Sequence, residues 1–290
     1  MQIIKANVLG FCMGVRRALE MAVTEAQSSS GSVFTLGPLV HNPNVLADLK
    51  SYGIEILEND IYTTELKNCS VIIRAHGISP LLEENLRNQC AKIIDATCPK
   101  VKKSQDKAQE LAHLGYSIFL AGEAKHAEIE GILGYVKNIS PFYCAASNAN
   151  EAETNAKQLY KNNKNAKTAL LGQTTISEKE YHEIGNVIKK YFPNLEIIDT
   201  ICTATSERQK ALRELLDKVD AVIVTGGKES ANTRRLFTIA QESGKPCILI
   251  ENANEIPSAF YKYKTVGLSA GASTPDSIIN EILGAYGVTH

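Results

Sequence analysis

The 290-residue chain has no surplus of charge: 31 Lys and Arg against 32 Asp and Glu leave a net −1. Without a basic excess or a basic run, nucleic acid and anionic membrane are excluded as main partners, since both are recognised through concentrated positive charge. No window holds 18 consecutive apolar residues, so no transmembrane helix is predicted. Met1-Gln2-Ile3-Ile4-Lys5 lacks the basic region, apolar core and cleavage site of a secretory leader. The chain reads as cytoplasmic, or as the mature form of an organelle protein, where its seven cysteines are thiols or ligands and not a disulfide framework. Cys-x-x-Cys is missing, which excludes zinc ribbons and ferredoxin-type runs. Also missing are a Gly-x-x-x-x-Gly-Lys-Ser/Thr loop and a Gly-x-Gly-x-x-Gly after a strand, so a nucleotide cofactor is not expected.

What is present is an ordinary cored composition, 44% apolar and 22% charged, long enough for two or three lobes of about 100 residues. Apolar strand candidates lie at 33–36, 71–73, 92–94, 117–121, 168–171, 196–198, 221–225, 247–250 and 265–268. Helical patterns such as 99–114 and 205–219 fall between them. This alternation predicts an α/β protein with mainly parallel sheets, whose function lies in loops beyond the carboxyl ends of the strands.

A repeat decides the architecture. Ile93-Ile94-Asp95-Ala96-Thr97-Cys98 and Ile197-Ile198-Asp199-Thr200-Ile201-Cys202 match, Cys12 closes the apolar run Ile3 to Phe11, and a helical pattern follows each cysteine. A second loop set is Gly37-Pro-Leu-Val-His41, Gly122-Glu-Ala-Lys-His126 and Gly226-Gly-Lys-Glu-Ser230. A third holds Ala75-His76-Gly77, Gln173-Thr174-Thr175 and Ala272-Ser273-Thr274. We read three pseudo-threefold-related lobes, 13–97, 98–200 and 201–285, around a central cavity, with residues 1–12 packing against the third. The sets then run Cys12 with His41 and His76, Cys98 with His126, Glu128 and Thr174, and Cys202 with Ser230, Asn232 and Ser273.

Cys69, Cys90, Cys144 and Cys247, in or beside apolar patterns, read as small buried hydrophobes. Cys12, Cys98 and Cys202 share a register, and three converging thiols describe a metal centre with one open position. An iron–sulfur cube on three thiolates leaves one iron for substrate. Two rivals stay open: a three-cysteine zinc hydrolase of a phosphorylated metabolite, and a non-catalytic phosphometabolite-binding protein whose cysteines are structural. A helix starting at each cysteine favours thiolate over thiol. Arg16, Arg17, Lys100, Lys102, Lys103 and Arg208 follow the cysteines closely, although most of them fit a solvated face equally well.

Three of the six histidines, His41, His76 and His126, fall in the repeat loops beside Ser230, Asn232, Thr174, Thr175 and Ser273. Imidazoles, hydroxyls, amides and helix N-termini suit a phosphate or diphosphate, and protonated histidines would offset repulsion between two anions. Glu128, two residues after His126 where the other lobes carry Pro43 and Asn232, is the best candidate for a general acid. Thr174 and Thr175 are placed to orient or relay its proton.

Six segments together resemble the hydroxymethylbutenyl diphosphate reductases: Gly10-Phe-Cys12-Met-Gly-Val-Arg-Arg-Ala18, Arg74-Ala-His76-Gly, Asp95-Ala-Thr-Cys98-Pro, His126-Ala-Glu128, Gly172-Gln173-Thr174-Thr175 and Ile201-Cys202-Thr-Ala-Thr. The likeness covers essentially the whole chain. It implies a [4Fe-4S] cluster on Cys12, Cys98 and Cys202 with one open iron. It also implies two-electron, two-proton removal of an allylic hydroxyl, giving isopentenyl and dimethylallyl diphosphates. The diphosphate would be held by His41, His76, His126, Ser230, Asn232 and Ser273, with Glu128 delivering protons, Thr174 beside it and Gln173 supporting the substrate site. Electrons would come from ferredoxin or flavodoxin. Where many of these enzymes carry Ser-Ser-Asn, this chain has Ser230-Ala231-Asn232, one hydroxyl fewer near the diphosphate.

Overall fold

A computed structural model describes residues 2–57, 66–89 and 92–288. The chain divides into two compact units, Met1–Glu58 with Thr203–His290, and Asn59–Cys202. The first unit begins with β1 (Gln2–Lys5), α1 (Met13–Ser28), β2 (Val33–Leu36), α2 (Pro43–Ser51) and β3 (Ile54–Leu57). The second holds β4 (Ser70–Ile73), α3 (Pro80–Arg87), β5 (Lys92–Asp95), α4 (Pro99–His113), β6 (Ser117–Ala121) and α5 (Ala127–Val136). It continues through β7 (Tyr143–Ala146), α6 (Ala149–Asn162), β8 (Thr168–Gly172), α7 (Glu178–Lys189) and β9 (Glu196–Ile197). The first unit resumes with α8 (Thr203–Leu216), β10 (Ala221–Thr225), α9 (Ala231–Glu242), β11 (Cys247–Ile250), β12 (Thr265–Ala270) and α10 (Asp276–Ala285).

The strands make three four-stranded parallel sheets, one per α/β lobe. Two have the orders β1-β12-β10-β11 and β7-β6-β8-β9. The remaining sheet contains β2 paired with β3 and β4 paired with β5. The lobe limits 13–97, 98–200 and 201–285 rest on the sequence repeat, whereas the two units follow compactness. Central strands β6, β8 and β10 (SIFLA, TALLG, AVIVT) are buried at every residue, as expected of strands covered by helices on both faces. Around β6 and β8 the core lies in two layers. One gathers Phe119, Leu170, Tyr181 and Ile184, the other Ile118, Leu120, Ile129 and Ile132.

Each lobe's first strand ends on a glycine with positive φ: Gly37 (69°), Gly122 (158°) and Gly226 (141°). A Cβ on Gly122 would lie 2.7 Å from Cβ of Gln173, and one on Gly226 would lie 2.6 Å from Oγ1 of Thr274. Glycine is therefore required there both by the backbone and by its neighbours.

Some local expectations need correction. The apolar run Ile3 to Phe11 is not one strand: β1 stops at Lys5, and Gly10 turns the chain with φ 78° before Cys12. Strands β3 and β7 are additional; both lie at sheet edges and are partly exposed, so their apolar signal is weak. Cys90 lies outside the described residues. Cys144 and Cys247 pack beside the cores. Burial pushes the Cys144 thiol up to about 12 and raises that of Cys247, as for unreactive structural cysteines.

Candidate active site

Cys12, Cys98 and Cys202 are partly exposed, and a helix begins at the residue after each, as the sequence predicts. One backbone hydrogen bond recurs at all three. The N–H of Cys98 donates to the carbonyl of Ala75 (2.9 Å), that of Cys202 to Thr174 (3.0 Å), and that of Cys12 to Ala272 (3.0 Å). The acceptors lie in the third loop set, beside or at His76, Thr174 and Ser273. The sets expected from the sequence are therefore shifted by one: Cys98 goes with His76, Cys202 with Thr174, and Cys12 with Ser273. The reason is visible in the strand pairing, because β1, β5 and β9, which lead to the cysteines, lie next to β12, β4 and β8.

Three thiols at helix starts are, by donor chemistry, suitable ligands for a soft metal or an iron–sulfur cluster. Each cysteine stands at a helix start, where the dipole favours thiolate, and Sγ of Cys12 accepts from the N–H of Val15 (3.5 Å), whereas Cys98 makes no side-chain cap bond. Cys98 and Cys202 belong to the second unit and Cys12 to the first. Within neither unit do three or more His, Cys, Asp or Glu side chains among the described residues form a group able to hold a metal ion. Of the six basic residues near the cysteines, Arg16, Lys100 and Lys103 are exposed, and Lys102 donates to the Tyr135 hydroxyl (3.0 Å). Arg208 is different. It is 4% exposed and donates to the carbonyls of Ala204 (2.6 Å) and Gly10 (2.7 Å), gripping the loop before Cys12.

In the second unit Glu128 sits in the first turn of α5, 1% exposed. Both its oxygens are held by one residue: the Thr174 N–H donates to Oε1 (2.7 Å) and the Thr174 hydroxyl to Oε2 (2.7 Å). Burial raises its pKa to about 7, against the lowering effect of the two Thr174 bonds. His126 caps α5, its Nδ1 accepting the Glu128 N–H at 3.2 Å. That nitrogen is therefore used as an acceptor by the first turn of α5. The His76 ring meets the His126 ring edge-on, centroids 5.3 Å apart. The Gln173 amide is engaged at both ends, accepting from the Glu123 N–H (3.1 Å) and donating to the Thr175 hydroxyl (2.9 Å). It clamps the loop of His126 to that of Thr174.

In the first unit Ser230 caps α9, with Asn232 in the first turn. Both amide atoms of Asn232 and the hydroxyl of Ser273 are buried without a hydrogen-bond partner. Buried polar groups are normally paired, so these three atoms have unused hydrogen-bonding capacity. A side chain on Gly227 would run into the carbonyl of His41, which brings the loops of His41 and Ser230 together. Asn42 then ties them to the third loop, its Nδ2 donating to the Ser273 carbonyl (2.9 Å). Asn42, and not His41, caps α2, so Asn44 and not Pro43 stands where Glu128 and Asn232 stand in α5 and α9. The sequence reading missed Asn42, although Asn42-Pro43 is a helix-start signal.

A family profile described as LytB protein matches residues 3–286. The 4-hydroxy-3-methylbut-2-enyl diphosphate reductase of Treponema denticola is 42% identical over 284 residues, covering 96% of each chain. The enzyme of that name from Aquifex aeolicus is 38% identical over 281 residues, covering 97% of this chain and 94% of its own. A solved (E)-4-hydroxy-3-methyl-but-2-enyl diphosphate reductase, described as the terminal enzyme of the non-mevalonate pathway, superposes with a TM-score of 0.72 at 37% identity, over 99% of both chains. The Plasmodium falciparum E-1-hydroxy-2-methyl-but-2-enyl-4-diphosphate reductase superposes with a TM-score of 0.87 at 27% identity, over 98% of this chain and 87% of that one.

Proposed function

Because the chain belongs to the LytB protein family, we propose that it reduces 4-hydroxy-3-methylbut-2-enyl diphosphate to isopentenyl and dimethylallyl diphosphates. The allylic C–O bond breaks. Two electrons and two protons enter, one proton leaving with the hydroxyl as water and the other joining the allyl carbon. When bound on Cys12, Cys98 and Cys202, a [4Fe-4S] cluster would supply the electrons and a Lewis-acidic iron without a protein ligand. An external carrier such as ferredoxin or flavodoxin would renew those electrons.

The observation that carries this reading is the buried Glu128–Thr174 pair. A carboxyl with a pKa of about 7 holds a proton at neutral pH and can still release it, the property wanted in a general acid. Thr174 serves both states: its hydroxyl donates to the carboxylate, and by rotating it accepts from the carboxylic acid. His41, His76, His126, Ser230, Asn232 and Ser273 would hold the diphosphate. The unpartnered atoms of Asn232 and Ser273 support that assignment. Gln173 acts by fixing the two loops, and its engaged amide supports a positioning role within the substrate site.

Anaerobic turnover with a reduced dye, with iron and labile sulfide measured on the same sample, tests the proposal. Both diphosphate products and about four irons and four sulfides per chain are expected. One equivalent of zinc without sulfide, or no reduction of the diphosphate, would sink it.

A further inference from the structure

Strand β9 ends at Ile197, five residues short of Cys202, yet its pairing with the β8 side does not stop there. The N–H of Ile198 donates to the carbonyl of Leu170 (2.9 Å) and the N–H of Cys202 to that of Thr174 (3.0 Å). Between them, at the same offset of 28 residues, the rung is made by a side chain. Thr200 Oγ1 accepts from the Gly172 N–H (2.7 Å) and donates to the Gly172 carbonyl (2.8 Å). In the first lobe the equivalent position, two residues before Cys98, is Ala96, whose own backbone N–H donates to Ile73 (3.1 Å). The second lobe has replaced a backbone rung with a hydroxyl.

The replacement sits at a sensitive place. Gly172 immediately precedes Gln173 and Thr174. The Thr174 N–H and hydroxyl hold Glu128, while its carbonyl holds Cys202. A carbonyl and an amide fixed two residues upstream set the direction in which the Thr174 peptide leaves β8. We propose that Thr200 is a positioning residue for the reaction: its hydroxyl orients the Thr174 peptide, and thereby the Glu128 carboxyl. The inference rests on the reading of Glu128 as the proton donor. The titratable groups around that carboxyl are His126 on its own helix and His76 from the loop before α3, edge-on to His126.

Three variants test it: Thr200→Val and Thr200→Ala, which remove the hydroxyl from a half-buried site, and Thr200→Ser, which keeps it. Two readouts are used: anaerobic steady-state kinetics, and infrared titration of the Glu128 carboxyl in metal-free protein, the band being identified by its loss in Glu128→Gln. The Val and Ala variants should lose about tenfold to a hundredfold in kcat, with KM within about twofold. Their carboxyl titration should move upward as the Thr174 bonds loosen, while Ser should match the parent in both readouts. Folded Val and Ala variants with parental kcat and titration would overturn the inference. So would a Ser variant as impaired as Val, or failure of both hydroxyl-free variants to fold, which would make the hydroxyl a prop of the whole lobe. A shifted titration beside full turnover in Glu128→Gln would instead overturn the role of Glu128 and leave the hold of Thr200 on it standing.

Discussion

Helices α5 and α9 start alike and end up in opposite electrostatic states. Each follows a positive-φ glycine at a strand end, each is capped by a polar side chain (His126, Ser230), and each places a polar residue two positions on. In α5 that residue is Glu128, with both oxygens satisfied from within the protein. In α9 it is Asn232, equally buried, with both amide atoms unsatisfied. On the proposed function, the satisfied group would move a proton, and the unsatisfied one would have its desolvation cost offset by a ligand. One backbone position would then serve either proton transfer or anion recognition, according to whether its partner lies in the chain or arrives with the substrate.

The largest effect should come from removing the proton. Glu128→Gln keeps the shape and the burial, and turnover should fall by about 10²–10⁴-fold, while substrate binding measured calorimetrically is retained. Unchanged turnover would remove Glu128 from the chemistry. The same variant sharpens the comparison through stability. A carboxyl raised from 4.5 to about 7 stabilises the fold below pH 4.5, and that contribution is lost as pH rises through about 7. Denaturant titrations should show the parent losing on the order of 3 kcal/mol relative to Glu128→Gln across that window. A constant difference between the two proteins would contradict the buried-acid description.

The other side is broken by Asn232→Leu. An amide without partners stabilises nothing in the ligand-free protein, so Tm should hold or rise, while KM for the diphosphate should increase by a factor of about 5–150. A fall of several degrees in Tm would show that the amide is not idle. The smallest effect is expected from Ala231→Ser, which restores a hydroxyl at the first residue of α9. Tighter diphosphate binding by roughly 2–13-fold corresponds to one recovered hydrogen bond, and no change would place that residue beyond reach of the ligand.

Much of the architecture is legible in the sequence, because parallel strands covered on both faces leave continuous apolar runs such as Ala221 to Val224, and Gly37, Gly122 and Gly226 mark where those runs turn. Hydrogen-bond direction is not legible. Nothing in the letters of Gln173-Thr174-Thr175 says that Thr174 bonds through its N–H, hydroxyl and carbonyl at once, or that Gln173 is consumed by the loops it joins. Loop length also misleads: one extra residue before α2 moves the cap from His41 to Asn42, and spacing counted from Gly37 hides the slip. Arg208 looked like one more basic residue among six, and only burial separates it from the rest.

The tie between Cys12 and Ala272 also dates the molecule's assembly. The Cys98 and Cys202 ties close loops of 23 and 28 residues, whereas the Cys12 tie joins positions 260 residues apart, and β1 pairs with β12 across nearly the whole chain. A ribosome emits residues in order, so β1 has no partner in this pair until β12 emerges. The Cys98 and Cys202 ties can form early in synthesis, while the Cys12 tie waits for Ala272. The corner at Cys12 is therefore the one whose backbone tie forms last.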